Sequence, residues 1–292
     1  MDELELVSAD GTVTALTDLV DDIDVLAGLT GRFAPPAELV ADRVANRDGA
    51  RLRVARADVR DIVIPLSVEP LSEPALRARL RDLVSAVWPS RGDVLLRAVR
   101  PEGARQIRGR YAGGLEIVED FGTTVSGVAN AGLVLRCFDP FWEDVDPDVS
   151  FAKVDAIAFL SSDSQEPWFP WQTVEVDVQG GFTVNNDGDD LAFPVWTVQG
   201  PGGAITLVNI TTGQTLEIDT ALSAGQQVRI DTRPDVKTVV GPAGVNLWPQ
   251  VTDPSTLWPI VRGSQLVNVQ IVDAVPGETQ VRLEWRRRWL SA

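Results

Sequence analysis

The chain has 292 residues and a net charge of −16, with 44% hydrophobic and 23% charged side chains, the balance of a folded protein long enough for about two domains. Both halves are acidic, with 17 basic against 26 acidic side chains over residues 1–150 and 9 against 16 beyond. That speaks against the basic stripe a nucleic-acid binder needs. Histidine is absent and cysteine occurs once, which removes the commonest general base, internal disulfides and cysteine-based metal sites together.

The acidic start, Met1 to Leu6, lacks the basic-then-apolar order of a signal peptide, and no apolar run approaches the roughly 18 residues of a membrane span. The expectation is a soluble chain made in a cytoplasm. In chain order, Leu4 to Val7 and Val13 to Leu16 flank the turn signal Asp10-Gly11 and predict a hairpin. The acidic patch Asp18, Asp21, Asp22 and Asp24 has no calcium-loop spacing. Gly28 to Pro36 reads as a loop, and Ala50–Val54 and Asp61–Val68 read as strands. One helix follows: Ser72 stands at a capping position, Pro74 suits a first turn, and Leu76, Leu80, Leu83, Val84 and Val87 recur at helical spacing. Strands are expected near Val94–Val99, Gln106–Tyr111, Gly114–Glu119 and within Val125–Phe138. The first half is therefore an α+β domain with one main helix.

At Cys137–Asp148 the pattern changes. Pro140 and Pro147 remove backbone donors, and Phe141 and Trp142 sit among five acidic residues between Asp139 and Asp148. Phe138, Asp139, Pro140, Phe141 and Trp142 are taken as a domain junction whose aromatics pack one domain against the next, dividing the chain into 1–143 and 144–292. An ordinary loop with two core aromatics is the plainer alternative. Beyond the junction, Val174–Val178, Phe182–Val184, Trp196–Val198, Ile205–Ile210, Thr215–Asp219, Gln227–Asp231, Val236–Val240, Leu266–Val272 and Gln280–Trp285 are short strands between turn signals, the pattern of a β-sandwich. The whole chain is mainly β.

No constellation points to catalysis. Asn185 to Asp190 alternates oxygen ligands but has Asp190 and Trp196 where a calcium loop of the helix-loop-helix kind needs Gly and Glu, so it reads as a turn. Ser161-Ser162-Asp163-Ser164 has no histidine to complete a triad. Cys137 lies in an apolar strand with nothing to activate it. No catalytic residue, metal ligand or cofactor site is assigned. Eight of the nine tryptophans lie from Trp142 onward, and Trp168, Phe169 and Trp171 form the best candidate platform for a glycan or protein partner, against the plainer account of core aromatics. A carbohydrate-binding adhesion module is thus the alternative to a structural role, with an uncharacterised hydrolase behind it. Arg286-Arg287-Arg288, between Trp285 and Trp289, could dock an acidic neighbour, against the plainer account of a strand end with alternating faces.

The run Cys137-Phe138-Asp139-Pro140-Phe141-Trp142 resembles the aromatic junction of distal tail (Dit-like) proteins of long-tailed, non-contractile phages, particularly those of actinobacterial hosts. The downstream series is similar in order: Val184 to Gly188, Phe193-Pro194-Val195-Trp196, Gly200-Pro201, Asn209 to Gly213, Ala224-Gly225, Ile230-Asp231-Thr232, Leu257-Trp258-Pro259, Gly263-Ser264-Gln265 and Val281 to Leu290. Residues 1–136 match in layout. The resemblance implies a belt domain over 1–143 whose copies close into a ring, with a hexamer expected, and a galectin-like β-sandwich over 144–292. It implies a structural, non-enzymatic role in the virion tail tip, with the tail tube protein, a tail-tip hub or tail-associated protein, and receptor-binding or fibre proteins as partners.

Overall fold

A computed structural model describes residues 3–17, 22–43, 45, 46, 48–70, 72–116, 128–153 and 178–292. The chain divides into two compact units, one of residues 1–146 with 288–292, the other of residues 147–287.

The first unit begins with the expected hairpin, β1 (Glu3–Val7) and β2 (Val13–Ala15), closed by Ser8 N–H on the Thr12 carbonyl at 2.9 Å and Thr12 N–H on the Asp10 carboxylate at 2.9 Å. Then come β3 (Ile23–Val25), β4 (Ala37–Asp42), β5 (Arg51–Ala57), β6 (Arg60–Val68), α1 (Glu73–Val87), β7 (Val94–Val99), β8 (Arg105–Gly113), β9 (Ala129–Cys137) and β10 (Trp142–Asp144). The main sheet runs β2-β1-β7-β8-β9-β6-β3, every neighbour antiparallel, while β4 and β5 pair with each other as a separate ribbon.

Alternation decides which face of the main sheet is apolar. Leu4, Leu6, Ile62, Ile64, Leu66, Leu96, Ile107, Leu133 and Leu135 all turn to one side and share a core with Leu76, Leu83 and Val87 of α1. Ser72 occupies the N-cap position, yet its side chain makes no capping bond; the first turn closes through Leu76 N–H on the Ser72 carbonyl at 2.9 Å. Two strand expectations change. Gly114–Glu116 is not a strand, because Gly114 has φ +95° and lies so near β9 that a Cβ would fall 2.3 Å from the Gly132 oxygen. Residues 117–119 of that expectation lie outside the described residues. Phe138 is not the end of the buried strand either: β9 stops at Cys137, the chain bends, and Phe138 is 67% exposed.

The second unit comprises β11 (Asp148–Lys153), β12 (Val178–Asn186), β13 (Val195–Gln199), β14 (Ile205–Asn209), β15 (Gln214–Ile218), β16 (Gln227–Asp231), β17 (Thr238–Val240), β18 (Gly263–Ile271) and β19 (Gln280–Trp285). They form two antiparallel sheets, β11-β19-β13-β16-β17 and β12-β18-β14-β15. Leu207, Ile218, Val267 and Val269 of one sheet and Trp196, Ile230, Val239 and Leu283 of the other fill a common core, which makes the unit a β-sandwich. Trp196 is its centre, edge-on to Trp258 at 5.5 Å and to Phe182 at 6.4 Å. The expected strand at Val174–Val178 lies outside the described residues up to Val178, where β12 begins.

The chain then leaves the sandwich, and β20 (Arg288–Trp289) pairs with β10 of the first unit. Residues 288–292, expected from the sequence in the second domain, thus belong to the first unit. In chain order the second unit is an insertion between β10 and β20, two strands bonded to each other.

Asp231 in β16 is buried and held by Arg233, whose Nε lies 2.9 Å from Oδ1. Burial works to raise the carboxyl pKa, but the Arg233 side-chain and backbone hydrogen bonds outweigh it and leave the pKa below its ordinary value. A lowered folded-state pKa gives stability that is complete above the unfolded value of about 4 and is lost as pH falls through the folded value. Asp231→Asn is therefore expected to cost the second unit roughly 1–3 kcal/mol at neutral pH and to flatten the acid side of its stability profile. Thermal unfolding across pH 2 to 7 checks both effects.

A clasp around the domain junction as the candidate functional site

The junction is built from an acid and a proline, Asp139 and Pro140, that stop one strand before another starts. Past Cys137 the Asp139 carboxylate accepts the Phe141 N–H at 3.3 Å, an Asx turn that fixes the bend, and Pro140 prevents β9 from running on. The next strand, β10, lies between two others: Glu143 and Asp144 pair with Gln106 and Arg105 of β8, and Trp142 and Glu143 pair with Trp289 and Arg288 of β20. Val145 N–H continues the β8 side by bonding the Ala104 carbonyl at 3.0 Å.

Trp142 is completely buried and its indole Nε1–H donates to the Arg32 carbonyl at 3.1 Å. That carbonyl also accepts from Arg60 at 3.2 Å and from Ala292 N–H at 3.4 Å. It is brought there by Gly31, at φ +77°, which approaches β6 so closely that a Cβ would sit 2.0 Å from the Asp61 oxygen. No other residue type fits that position without moving the loop.

Arg60 is the second fixed point. Its side chain is wholly buried, and it donates to carbonyls: Leu290 at 2.7 Å, Arg32, and Gly31 at 3.4 Å. Burial lowers its pKa from the usual value, opposed by the neighbouring Cys137. An arginine remains charged even so. A buried cation of this kind holds its carbonyl partners firmly, because moving them away would strand the charge in an apolar core. Cys137, opposite Arg60 in the β6–β9 register, is pushed up to about 12 by burial, so its thiol is protonated and unreactive at neutral pH.

The returning chain is held along its whole length. Arg288 is buried, ion-paired with Asp139, and stacks over the Phe141 ring at 4.3 Å. Trp289 Nε1–H donates to Asp144 Oδ1 at 2.9 Å, and the Arg105 guanidinium lies over the Trp289 ring at 3.9 Å. Arg105 bonds the Ser291 carbonyl at 2.9 Å, Arg100 bonds that of Ala292, and the Ala292 side chain is buried in the core of this unit. This is binding chemistry between parts of one chain, guanidinium and indole donors on carbonyl and carboxylate acceptors.

Of the residues singled out from sequence, Asp139, Pro140, Phe141 and Trp142 come together here: Trp142 and Pro140 are buried and Phe141 is half-buried. Phe138 stays outside the clasp. Trp168, Phe169 and Trp171 lie outside the described residues. Trp196, Trp258 and Trp285 are core residues of the sandwich, whereas Trp248 is half-exposed. The reading of Arg286 to Arg288 as a dock for acids is met within the chain, by Arg288 on Asp139 and by Arg287 on Asp148 at 3.1 Å. Arg60, Arg100 and Arg105 were missed. For Arg60 the signal was available, since it shares strand parity with Ile62 and Ile64 and so had to point inward.

No family model matches the chain, and no curated protein sequence matches it significantly. Solved structures do. The Dit protein of phage SPP1, described as a paradigm of the hub adsorption apparatus in phages that infect Gram-positive bacteria, superposes with a TM-score of 0.66 at 14% identity over 98% of both chains. A chain of the phage P2 baseplate in its activated conformation with Ca superposes with a TM-score of 0.58 at 11% identity over the full length of both. A P2 baseplate chain with Sr gives 0.57 at 11% identity, again over both full lengths.

Trp142→Ala is expected to lower the stability of the first unit by about 3–5 kcal/mol, through lost burial and the cavity left behind. Trp142→Phe, which keeps the ring and loses the bond to Arg32, costs only part of that. Denaturant unfolding followed by fluorescence, with the sandwich transition as internal reference, distinguishes the two.

Proposed function

We propose, on a fold shared end to end with phage distal tail and baseplate proteins, that this chain is a structural component of a phage tail tip. The observation that carries this reading is the superposition on SPP1 Dit over 98% of both chains, which embraces both units and the crossing between them. Residues 1–143, with the returning strand, act as the belt; the sandwich that begins after them is the galectin-like domain. Copies of the belt close into a ring, a hexamer, that joins the tail tube to the tail-tip hub, and the sandwich offers attachment to receptor-binding or fibre proteins. The role is architectural and not enzymatic: the best-built cluster of polar groups among the described residues, at the junction, binds one part of the chain to another.

The junction residues Asp139, Pro140, Phe141 and Trp142 have a defined part in this reading. They begin the strand from which the sandwich is inserted and to which the chain returns, so they tie both ends of the insertion to the belt.

Native mass spectrometry of tail tips purified from virions, combined with electron microscopy, tests the reading. Rings with six copies of this chain at the end of the tail tube are expected. A monodisperse monomer in those complexes, or the chain's absence from virions, would overturn it.

A further inference from the structure

The five-stranded sheet of the second unit has one face in the core and one in solvent. Trp196 and Val198 of β13, Val228 and Ile230 of β16, and Val281 and Leu283 of β19 turn inward, so the residues between them turn out. Register sorts the outward residues into rungs that cross the strands. In one rung Gln199 of β13 stands between Gln280 of β19 and Gln227 of β16, and all three are exposed. In the next, Thr197 stands between Arg282 and Arg229, and Phe151 of β11 lies beyond Arg282. Phe151 is 59% exposed at the edge of the sheet, with the Arg282 guanidinium 5.8 Å from its ring centre. With neighbouring strands about 4.8 Å apart, the rung from Phe151 to Arg229 crosses about 14 Å.

The chemistry of these rungs selects a ligand class. The amides of Gln199, Gln227 and Gln280 make no side-chain hydrogen bond among the described residues, and each carries donors and acceptors together. The guanidiniums do not form a polyanion track, because the next rung sets a carboxylate behind each: Glu284, ion-paired with Arg282, and Asp231, buried against Arg233. A protein partner wants a contiguous apolar centre. Among the outward residues of these five strands the exposed large apolar ones, Val149 and Phe151, both lie on the edge strand β11. A polyhydroxyl chain meets the arrangement on every count. Its hydroxyls donate and accept, as the glutamine amides and the Thr197 hydroxyl do, and an exposed ring at the edge gives the C–H face of a sugar a flat apolar seat.

We infer that the outward face of the five-stranded sheet is a binding surface for a neutral glycan, which lies across the strands with its hydroxyls on Gln199, Gln227, Gln280 and Arg229 and one sugar ring against Phe151. The inference goes beyond the tail-tip reading and does not involve Trp168 or Trp171.

The test applies the full-length chain to an array of immobilised neutral and acidic glycans, and titrates the strongest neutral binder in solution by calorimetry. Binding to neutral glycans is expected, and high salt is expected to change it little, since no net charge is neutralised. Phe151→Ala, and separately the Gln199→Ala, Gln227→Ala pair, are each expected to weaken binding at least about ten-fold with an unchanged thermal midpoint, because these side chains are exposed. Hydroxyl-radical footprinting gives a reading that needs no variant: the bound glycan is expected to shield Phe151 from oxidation. Absence of binding to every neutral glycan, binding confined to acidic glycans, full-strength binding by either variant, or an unshielded Phe151 in the complex would each overturn the inference. Rings in virion tips would stand in all of these cases, so the glycan face and the ring fail separately.

Discussion

The antiparallel pairing of β10 with β20 is the constraint from which the rest of this architecture follows. β20 is only two residues long and lies 145 positions downstream of its partner at the Trp289–Asp144 bond, far beyond what backbone bonding alone would hold. What secures it is the buried neighbourhood: Trp142 on one side, the Arg105 guanidinium over Trp289, and Arg60 on the Leu290 carbonyl. Once those contacts form, a whole β-sandwich can be carried as an insertion, because the two points at which it joins the first unit lie on strands already side by side. An insertion with adjacent ends demands little of its host fold.

Arginine is the residue that makes this possible in so acidic a chain. There are 24 arginines and two lysines. A lysine at position 60 could not divide its charge among the carbonyls of Gly31, Arg32 and Leu290, which lie on chain segments more than 250 residues apart, since its ammonium is compact and strongly hydrated. The planar guanidinium spreads its donors over all three. The same geometry lets Arg288 pair with Asp139 while lying over Phe141, and lets Arg105 bond Ser291 while covering Trp289. The net charge therefore says little about the interior of the first unit, where the buried charges described, Arg60 and Arg288, are positive.

How much of this could be read beforehand depends on the range of the physics involved. Local signals were legible: the Asp10-Gly11 hairpin, the helix at Glu73–Val87, the strands Val94–Val99, Gln227–Asp231 and Gln280–Trp285, each set by turn chemistry or period. Pro140 and the acids around it showed where the chain changes character. What stayed hidden was decided by distant contact. β3 lies in an acidic patch and is a strand because it pairs with Val68, Ser67 and Leu66; β10 and β20 are too short to leave a period at all. Phe138 was misjudged because an aromatic after an apolar run looks buried, whereas the inward positions of β9 are the alternate ones ending at Leu133, Leu135 and Cys137, and Phe138 falls on the outward face. Gly31 belongs to the same class: its neighbours mark a loop, but only the approach to the Asp61 oxygen shows why it must be glycine.

The low identity to the superposed phage proteins, 14% and 11%, has a related explanation. A β-sandwich and a sheet-plus-helix unit are fixed by alternation and volume, conditions that many sequences meet. The return of the chain from the sandwich to the first unit is a different sort of requirement. It depends on a few side chains of particular shape meeting in one place: an indole, a forked cation, a carboxylate at a bend. The second unit joins the first through two covalent crossings and not one, and both crossings lead directly into paired strands. The clasp thereby turns the weakest feature of a two-domain chain, its linker, into part of a core.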